Sequence, residues 1–399
     1  MAGQVTQGMA ATDNKGYGLE TAIFVAIFSG ILWYIQSIMG LSHMLSTIMK
    51  TAYGLLQDTA FFVMAICVLA GASGGLLSEF GVVAVLQNMI SPIMRPIFGL
   101  PGVASLGVIT TFLSDNPAIL ALAQDKKIRK YFKKYEVPAL TNIGTGFGMG
   151  LIVFTYMVGL GFAKPAAIGV AGAAFGTLVS TRLMLYMTKR HYMKTGKFTA
   201  MDQLDDTLET VSEEESAVLH GMKHKQSLFD RFMNAMLDGG KTGVVNGLNV
   251  IPGILTVCTA VMILTLGPAT GADGNPTYIG GAYEGIALLS KIGEYIYPVT
   301  NLLFGFQHGS NIAFPLTSLG AVGAALGTLP QMLTKGYVGP NEIAVFTGIG
   351  MCYSGYLSTH VSMMDALGKR DLTGFAIISH TIGGICAGIA AHYMFLIIG

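Results

Sequence analysis

The run Thr110-Thr111-Phe112-Leu113-Ser114-Asp115-Asn116-Pro117 places hydroxyl, carboxylate and amide groups inside an otherwise apolar stretch. Asn followed by Pro is a helix-start signal, with Asn116 as N-cap and Pro117 at the first helical position. A helix that begins partway through a bilayer leaves unpaired N–H groups and a positive dipole end, which can hold an anionic or strongly polar group. The carboxylate of Asp115 is then a candidate cation or proton site. The plainer alternative is that it caps the helix or sits at the membrane edge near the basic loop that follows. A second cluster reads Gln307-His308-Gly309-Ser310-Asn311, followed by Pro315, Thr317 and Ser318. Here Ser310 or Asn311 would cap a half-helix. His308 would hydrogen-bond a solute or titrate with proton flux, unless it is simply a satisfied bundle residue.

Two flanking stretches add polar groups. Asn142, with Thr141 and Thr145, borders Gly144-Thr145-Gly146-Phe147-Gly148-Met149-Gly150, and Ser354, Ser358 and Asp365 follow spacings of four and seven that suit one helical face. The candidate substrate- or ion-binding residues are therefore Thr111, Ser114, Asp115, Asn116, Asn142, Gln307, His308, Ser310, Asn311, Thr317, Ser318, Ser354, Ser358 and Asp365. The alternating glycines lack the preceding strand and the following Lys-Ser/Thr of a phosphate loop, so they read as close helix packing. Glu20 and Glu284 lie near segment ends and read as interfacial.

Composition says what must position these groups. Of 399 residues, 52% are hydrophobic and 11% charged, against roughly 25% charged in a soluble domain. The 53 glycines suit tightly packed membrane helices. A net charge of +1 gives no reason to expect nucleic acid as a partner. Cys67, Cys258, Cys352 and Cys386 sit in apolar runs without metal-ligand spacing and read as small buried hydrophobes. Stretches of about twenty residues, the length needed to cross ~30 Å of hydrocarbon, fall near 18–39, 58–78, 80–99, 101–124, 137–161 and 164–188. Further stretches follow near 243–267, 281–305, 306–330, 342–364 and 372–397. The expectation is an all-α polytopic membrane protein of ten or eleven transmembrane segments, in which 101–124 and 306–330 are broken or re-entrant.

The chain also repeats itself. Ser91-Pro92-Ile93-Met94-Arg95-Pro96-Ile97-Phe98-Gly99-Leu100 is echoed by Tyr297-Pro298-Val299-Thr300-Asn301-Leu302-Leu303-Phe304-Gly305-Phe306, with proline and Phe-Gly both displaced by 206 positions. Thr145-Gly146-Phe147-Gly148-Met149 is echoed by Thr347-Gly348-Ile349-Gly350-Met351, displaced by 202. Each copy would hold about five segments, an odd number, so the two would insert as inverted repeats with a binding site where their broken helices meet. The implied divisions are 1–42, a tail and first helix; 43–188, the first repeat; 189–226, a cytoplasmic linker; and 227–399, the second repeat.

The basic run Lys126-Lys127-Ile128-Arg129-Lys130-Tyr131-Phe132-Lys133-Lys134, the Lys189-Arg190-His191 cluster and the Lys369-Arg370 turn fall on one side of an eleven-crossing chain. By the positive-inside rule that side is cytoplasmic. The N-terminus is then inside, and the C-terminus and the Asp273–Pro276 loop outside. Within the linker, Asp205 to Glu215 reads as a solvated acidic run. Leu228, Phe232 and Met236, with Phe229, Met233 and Leu237 beside them, read as an amphipathic helix on the membrane surface.

The stretch Ser91-Pro92…Pro96-Ile97-Phe98-Gly99-Leu100-Pro101-Gly102-Val103-Ala104-Ser105, with its polar break about ten residues later, resembles the nucleoside-recognition or gate domain. That domain occurs in the spore-maturation membrane proteins and is similar to part of concentrative nucleoside transporters. Pro298 to Ser318 resembles a degenerate second copy without the Leu-Pro-Gly step, and the signatures of a true nucleoside transporter are not recognisable. The resemblance implies a transporter-like fold.

The preferred reading is a secondary active transporter of a small polar solute, nucleoside-like or otherwise, coupled to Na⁺ or H⁺ and working by alternating access. Its expected location is a bacterial inner membrane, with the lipid bilayer and the solute as partners, homo-oligomerisation open and no cofactor beyond the coupling ion. The competing readings are a non-transporting assembly or signalling protein of the gate-domain type, and a passive channel. An enzyme is not expected: no His-Glu-x-x-His motif occurs, and Gly71-Ala72-Ser73-Gly74-Gly75 matches a nucleophile elbow only by letter.

Overall fold

The computed structural model describes residues 18–114, 118–119, 123, 126–198, 227–271 and 273–399. Among these, six helices are long and apolar enough to cross a bilayer: Leu19–Met39, Leu41–Glu79, Ala139–Gly159, Ala163–Lys194, Leu228–Thr265 and Arg370–Ile398. The chain is an all-α polytopic membrane protein. The one sheet among the described residues is a two-strand hairpin, β1 (Ala269–Thr270) with β2 (Pro276–Thr277).

In chain order the helices are α1 (Leu19–Met39), α2 (Leu41–Gly54), α3 (Phe61–Glu79), α4 (Val82–Ile93), α5 (Ala104–Leu113), α6 (Ala139–Phe147), α7 (Gly150–Gly159) and α8 (Ala163–Lys194). After the linker come α9 (Leu228–Gly253), α10 (Thr259–Thr265), α11 (Leu288–Tyr295), α12 (Tyr297–Phe304), α13 (Ala313–Gly320), α14 (Val322–Thr334), α15 (Pro340–Cys352), α16 (Tyr356–Ala366) and α17 (Thr373–Ile398).

The same run of elements occurs twice. A long helix interrupted by a π-helical turn comes first: Leu55–Ala60 joins α2 to α3, and Ile254–Cys258 joins α9 to α10. Pro252 explains the second interruption, because it removes a ladder hydrogen bond just before it. Next comes a short apolar piece that stops at a left-handed glycine, Gly99 or Gly305. A helix that breaks partway follows, then a second broken helix, and each run closes on one long helix, α8 or α17.

The closest packing runs between the two copies. A Cβ on Gly71, Gly75, Gly239 or Gly243 would run into the backbone of the facing helix, so α3 and α9 touch main chain to main chain. The contact of α8 with α17 is of the same kind, through Gly172, Gly176 and Gly383. Between these pairs lies the core, where Phe306, Phe314 and Phe346 are fully buried. Phe314 stacks on Phe346 with ring centroids 4.4 Å apart. Tyr156, equally buried, donates its hydroxyl to the Leu326 carbonyl at 3.0 Å, since an unpaired hydroxyl in that setting is costly.

Three sequence expectations change. Leu228 to Leu237 is not a separate surface helix: it is the first part of α9, drawn onto α3 by the glycines at 239, 240, 243 and 247. The second segment begins at Leu41 rather than 58, because the amphipathic stretch before it belongs to the same continuous helix. Glu284, expected near a segment end, is buried within the protein, with its Oε1 accepting the N–H groups of Gly281 at 2.8 Å and Ile279 at 3.4 Å. Most of the expected linker, including Asp205 to Glu215, lies outside the described residues.

The three basic stretches do meet at one end. Lys189 lies over the rings of Tyr135 and Phe198, Lys369 over that of Tyr192, and Lys197 pairs with Asp371 at 3.5 Å. Cys67, Cys258 and Cys352 are buried and Cys386 half-buried, all as free thiols.

Candidate functional site

Four interruptions in helices converge on one region. α5 stops at Leu113, and Ser114 turns the chain with φ −128° and ψ −101°. α6 gives way to α7 through extended Gly148 and left-handed Met149 (φ 54°). A side chain at such a φ is strained, a condition that concentrates where structure serves function. α13 gives way to α14 at extended Ala321, and α15 to α16 through Tyr353, Ser354 and Gly355 (φ 80°).

Close contacts tie the four together. A Cβ on Gly150 would overlap the Phe112 ring of α5 and lie 3.0 Å from Cε of Met351, so the first broken helix touches both α5 and α15 there. The Ser354 hydroxyl donates to the Thr145 carbonyl at 3.3 Å. Gly350 meets Phe314 of α13 and Val322 of α14, each 3.2 Å from the place its Cβ would occupy. The two Thr-Gly-x-Gly-Met motifs that betray the repeat therefore face each other across the breaks.

The second polar cluster is organised by carboxylates. Residues 305–312 form a turn ending in the 3₁₀ segment Gly309–Ile312. Asn311 is fully buried, and its Nδ2 donates to Oε1 of buried Glu342 at 3.4 Å, while no group among the described residues pairs with its Oδ1. The same Oε1 accepts the Gln307 N–H at 3.3 Å, and Oε2 accepts the Gly339 N–H at 3.1 Å. Glu294 accepts the Gly309 N–H at 2.9 Å. Ser310 shares a 2.9 Å hydrogen bond with Ser290, which donates to the Thr265 carbonyl. The result is a turn, buried except at Gln307 and His308, that two acids hold, with a buried amide oxygen unmatched among the described residues.

The other candidates divide. Thr111, Thr317 and Ser318 are buried but donate to carbonyls of their own helices, at 2.7, 2.6 and 2.7 Å. Gln307 and His308 are exposed; His308 lies against Tyr337, ring centroids 5.2 Å apart. Asn142 is fully buried and donates to Ser180 (2.7 Å) and Ser379 (2.8 Å), and Ser180 continues to His380 Nδ1 at 2.8 Å. It is the hub of a satisfied network joining α6, α8 and α17. Asp365 is exposed and pairs with Arg370 at 3.6 Å, away from the breaks. Ser354 lies in the break rather than on α16, so it does not share a helical face with Ser358 and Asp365. Asp115 and Asn116 lie outside the described residues.

Ser114 Oγ donates to the Thr110 carbonyl at 2.6 Å, and both residues line a cavity of about 220 Å³ that Thr242 and Asn246 also border. Gly75, Ser78, Gly239 and Thr242 also line a wider cavity of about 550 Å³, which reaches the Glu79–Arg231 ion pair (2.8 Å). Together the two cavities extend from the Glu79 end of α3 to the first broken segment.

Sequence reasoning missed Glu342, Glu294 and His380. Glu342 had a usable signal: Gly339-Pro340-Asn341-Glu342 carries proline at the helix start and an acid at the third position, a capping signature. Glu294 and His380 stand in unremarkable sequence, and only tertiary packing brings them to the turn and to Ser180.

No family model and no curated protein matches the chain. Solved structures do. A doubly substituted CNTnw in an outward-facing state is 12% identical, with 96% of this chain and 88% of that chain covered and a TM-score of 0.54. A second doubly substituted CNTnw, also outward-facing, is 13% identical over 97% of this chain and 94% of that one, with a TM-score of 0.52. CNTnw in an inward-facing, substrate-bound state is 12% identical over 94% and 86%, with a TM-score of 0.51. At such identities the likeness is one of fold, and the chain has the fold of these concentrative nucleoside transporter structures over nearly its whole length.

Proposed function

We propose that this protein is a secondary active transporter that carries a small polar solute by alternating access, with Na⁺ or H⁺ as the coupling ion. The convergence of four helix interruptions, two from each run of elements, carries this reading. Interrupted helices inside a bilayer are tolerated only where the freed backbone groups are buried in protein or face a cavity. In transporters built from repeats they make the substrate and ion sites. The solute would lie against the 305–312 turn and the Ser114 break, with Asn311 Oδ1 as acceptor and Glu342 orienting Asn311. Asp115 and Asn116 would complete the site from the first repeat.

The divisions 43–188 and 227–399 are the two repeats in this scheme, and 189–226 the cytoplasmic linker of a bacterial inner-membrane protein. Nucleosides head the panel of solutes because CNTnw shares the fold. The test is thermal stabilisation of the purified protein by nucleosides, nucleobases, amino acids and carboxylates, each in sodium and in choline buffer. A ligand at a hundred times its Kd stabilises by about 2.7 kcal/mol. A sodium- or pH-dependent shift, lost in Asn311→Ala, supports the proposal. No shift with any solute, and unaltered behaviour of Asn311→Ala, would favour the assembly or signalling reading instead.

A further inference from the structure

Arg95, Arg182 and Lys189 border a pocket of about 300 Å³ that is also lined by Tyr135, Glu136 and Tyr186. Arg95 is matched to Glu136 at 2.7 Å, and Glu136 also accepts the Lys133 N–H at 2.9 Å. The other two cations face no carboxylate among the described residues. Arg182 Nε donates to the Ile97 carbonyl at 2.7 Å and its Nη2 to that of Pro96, both offered by the turn at Gly99. Its Nη1 is turned to the same corner, 3.0 Å from where a Cβ on Gly99 would sit. Among the described residues Lys189 is held by the faces of Tyr135 and Phe198. The pocket therefore has a formal excess of two positive charges, fixed by backbone and aromatic contacts rather than by acids.

The surroundings identify the kind of anion. The pocket stands at the basic end of the molecule, and close to it in the chain or on its rim Ile93, Ile97 and Tyr186 are 43, 40 and 60% exposed. On α4 and the turn after it, Val82, Val85, Leu86, Met89, Ile93 and Ile97 are all outward-facing and follow helical spacing. They form an apolar track about 22 Å long at 1.5 Å per residue, ending at the cations. A soluble anion has no use for that track; an acyl chain does. We infer that this pocket binds the headgroup phosphate of an anionic phospholipid, with an acyl chain lying along α4. Basic pockets between transmembrane helices on the cytoplasmic side take such headgroups, and that leaflet attracts basic groups.

Native mass spectrometry of the full chain, titrated with phosphatidylglycerol and separately with phosphatidylcholine, tests this. The wild type is expected to hold one phosphatidylglycerol in preference to phosphatidylcholine. Arg182→Gln and Lys189→Gln should each weaken it about fivefold, and the double variant about twenty-five-fold. Lys189→Arg should keep the affinity, and Glu136→Gln should raise it, a gain that mere damage to the fold would not produce. Wild-type affinity in the double variant would overturn the assignment. So would displacement of the lipid by inorganic phosphate at equal concentration, which would make the ligand a soluble anion. If the double variant does not fold, Glu136→Gln decides: unchanged or weaker binding overturns the proposal.

Discussion

Glu342→Gln is the substitution that best separates a working site from a well-built turn. The carboxylate accepts three N–H groups, from Gln307 (3.3 Å), Asn311 (3.4 Å) and Gly339 (3.1 Å). An amide of the same shape has one accepting oxygen, so whichever way it turns, at least one N–H faces another N–H. The remaining bonds lose their charge and roughly half their strength. A hydrogen bond to a charged group contributes about 1.5–3 kcal/mol. The contacts here are long, which puts the expected loss near the low end, at about 2 kcal/mol. For a chain of this size that lowers Tm by a few degrees, leaving the protein folded and inserted.

The functional effect should be larger than the structural one. If Asn311 presents its Oδ1 to the solute only while Nδ2 is held by Glu342, the same ~2 kcal/mol appears as an uptake rate about thirtyfold lower per folded molecule. The assay is uptake into proteoliposomes of the solute giving the largest thermal shift, normalised to protein that elutes as a single species. Glu342→Asp, which keeps the charge but retracts it by one methylene, should fall between. Uptake within twofold of wild type, with Tm lowered as stated, would show Glu342 to be a helix cap and nothing more. The assignment of the turn as the solute site would fail with it.

Other outcomes follow from single contacts. Asn142→Ala removes two buried hydrogen bonds, although Ser180 and Ser379 keep other partners, and should cost about 1–3 kcal/mol in a denaturation series, with an unchanged KM because the partners of Asn142 lie on α8 and α17 rather than in the breaks. Gly239→Leu drives a side chain into the Gly71 backbone and should destabilise by at least about 1–3 kcal/mol, lowering Tm and yield together. Lys197→Gln removes an exposed ion pair and should move Tm by no more than the scatter, as isolated surface pairs contribute about 0–1 kcal/mol. Burial pushes the Glu136 carboxyl above its ordinary range despite the opposing pull of the Lys133 N–H and Arg95. A raised folded value means the folded state holds the proton more tightly. The stabilisation is therefore full below the unfolded pKa and is lost as pH rises through the folded one. Glu136→Gln should flatten that acid-side rise in a pH series of Tm, whereas Arg95→Ala, which strands a buried carboxylate, should lower Tm most at neutral pH.

The duplication was legible because it rests on residues that backbone geometry demands. Phe-Gly at 98–99 and 304–305 ends a short helix on a left-handed glycine in both copies, and only glycine takes that conformation without strain. The Thr-Gly-x-Gly-Met motifs were legible for a related reason, since their glycines permit the close crossing of broken helices. Less visible were the partners of the polar residues. Asn142 and Asn311 look alike as buried amides in apolar sequence, yet one meets two serines and the other a glutamate. Nothing within a few positions of either announces the difference, because the decisive contacts of Asn142 lie 38 and 237 residues away. Helix lengths were misjudged at 41–79 and 228–265 because amphipathic turns before an apolar run read as separate when judged by lipid contact. Glycine packing of α9 on α3, invisible to hydropathy, makes the second of them one rod.

The placement of the tight contacts bears on how such a molecule could work. α3 with α9 and α8 with α17 each join a helix of one copy to a helix of the other, through glycines that bring backbone to backbone. Packing of that kind has little room for sliding, because a shift of even a fraction of a side chain leaves a void or a clash. The interrupted helices lie between these pairs, where glycine contacts such as Gly150 on Phe112 are joined by polar ones: hydrogen bonds such as Ser354 to Thr145, and the acid-pinned turn at 305–312. Each of those polar contacts is modest in net free energy and can be exchanged for a bond to water or solute. A frame of glycine-packed pairs around exchangeable polar breaks is therefore arranged to keep its outline while the breaks rearrange. Gly239→Leu should then damage stability first, whereas Glu342→Gln should damage turnover first, and the order of those two losses is what a rigid frame with a movable centre requires.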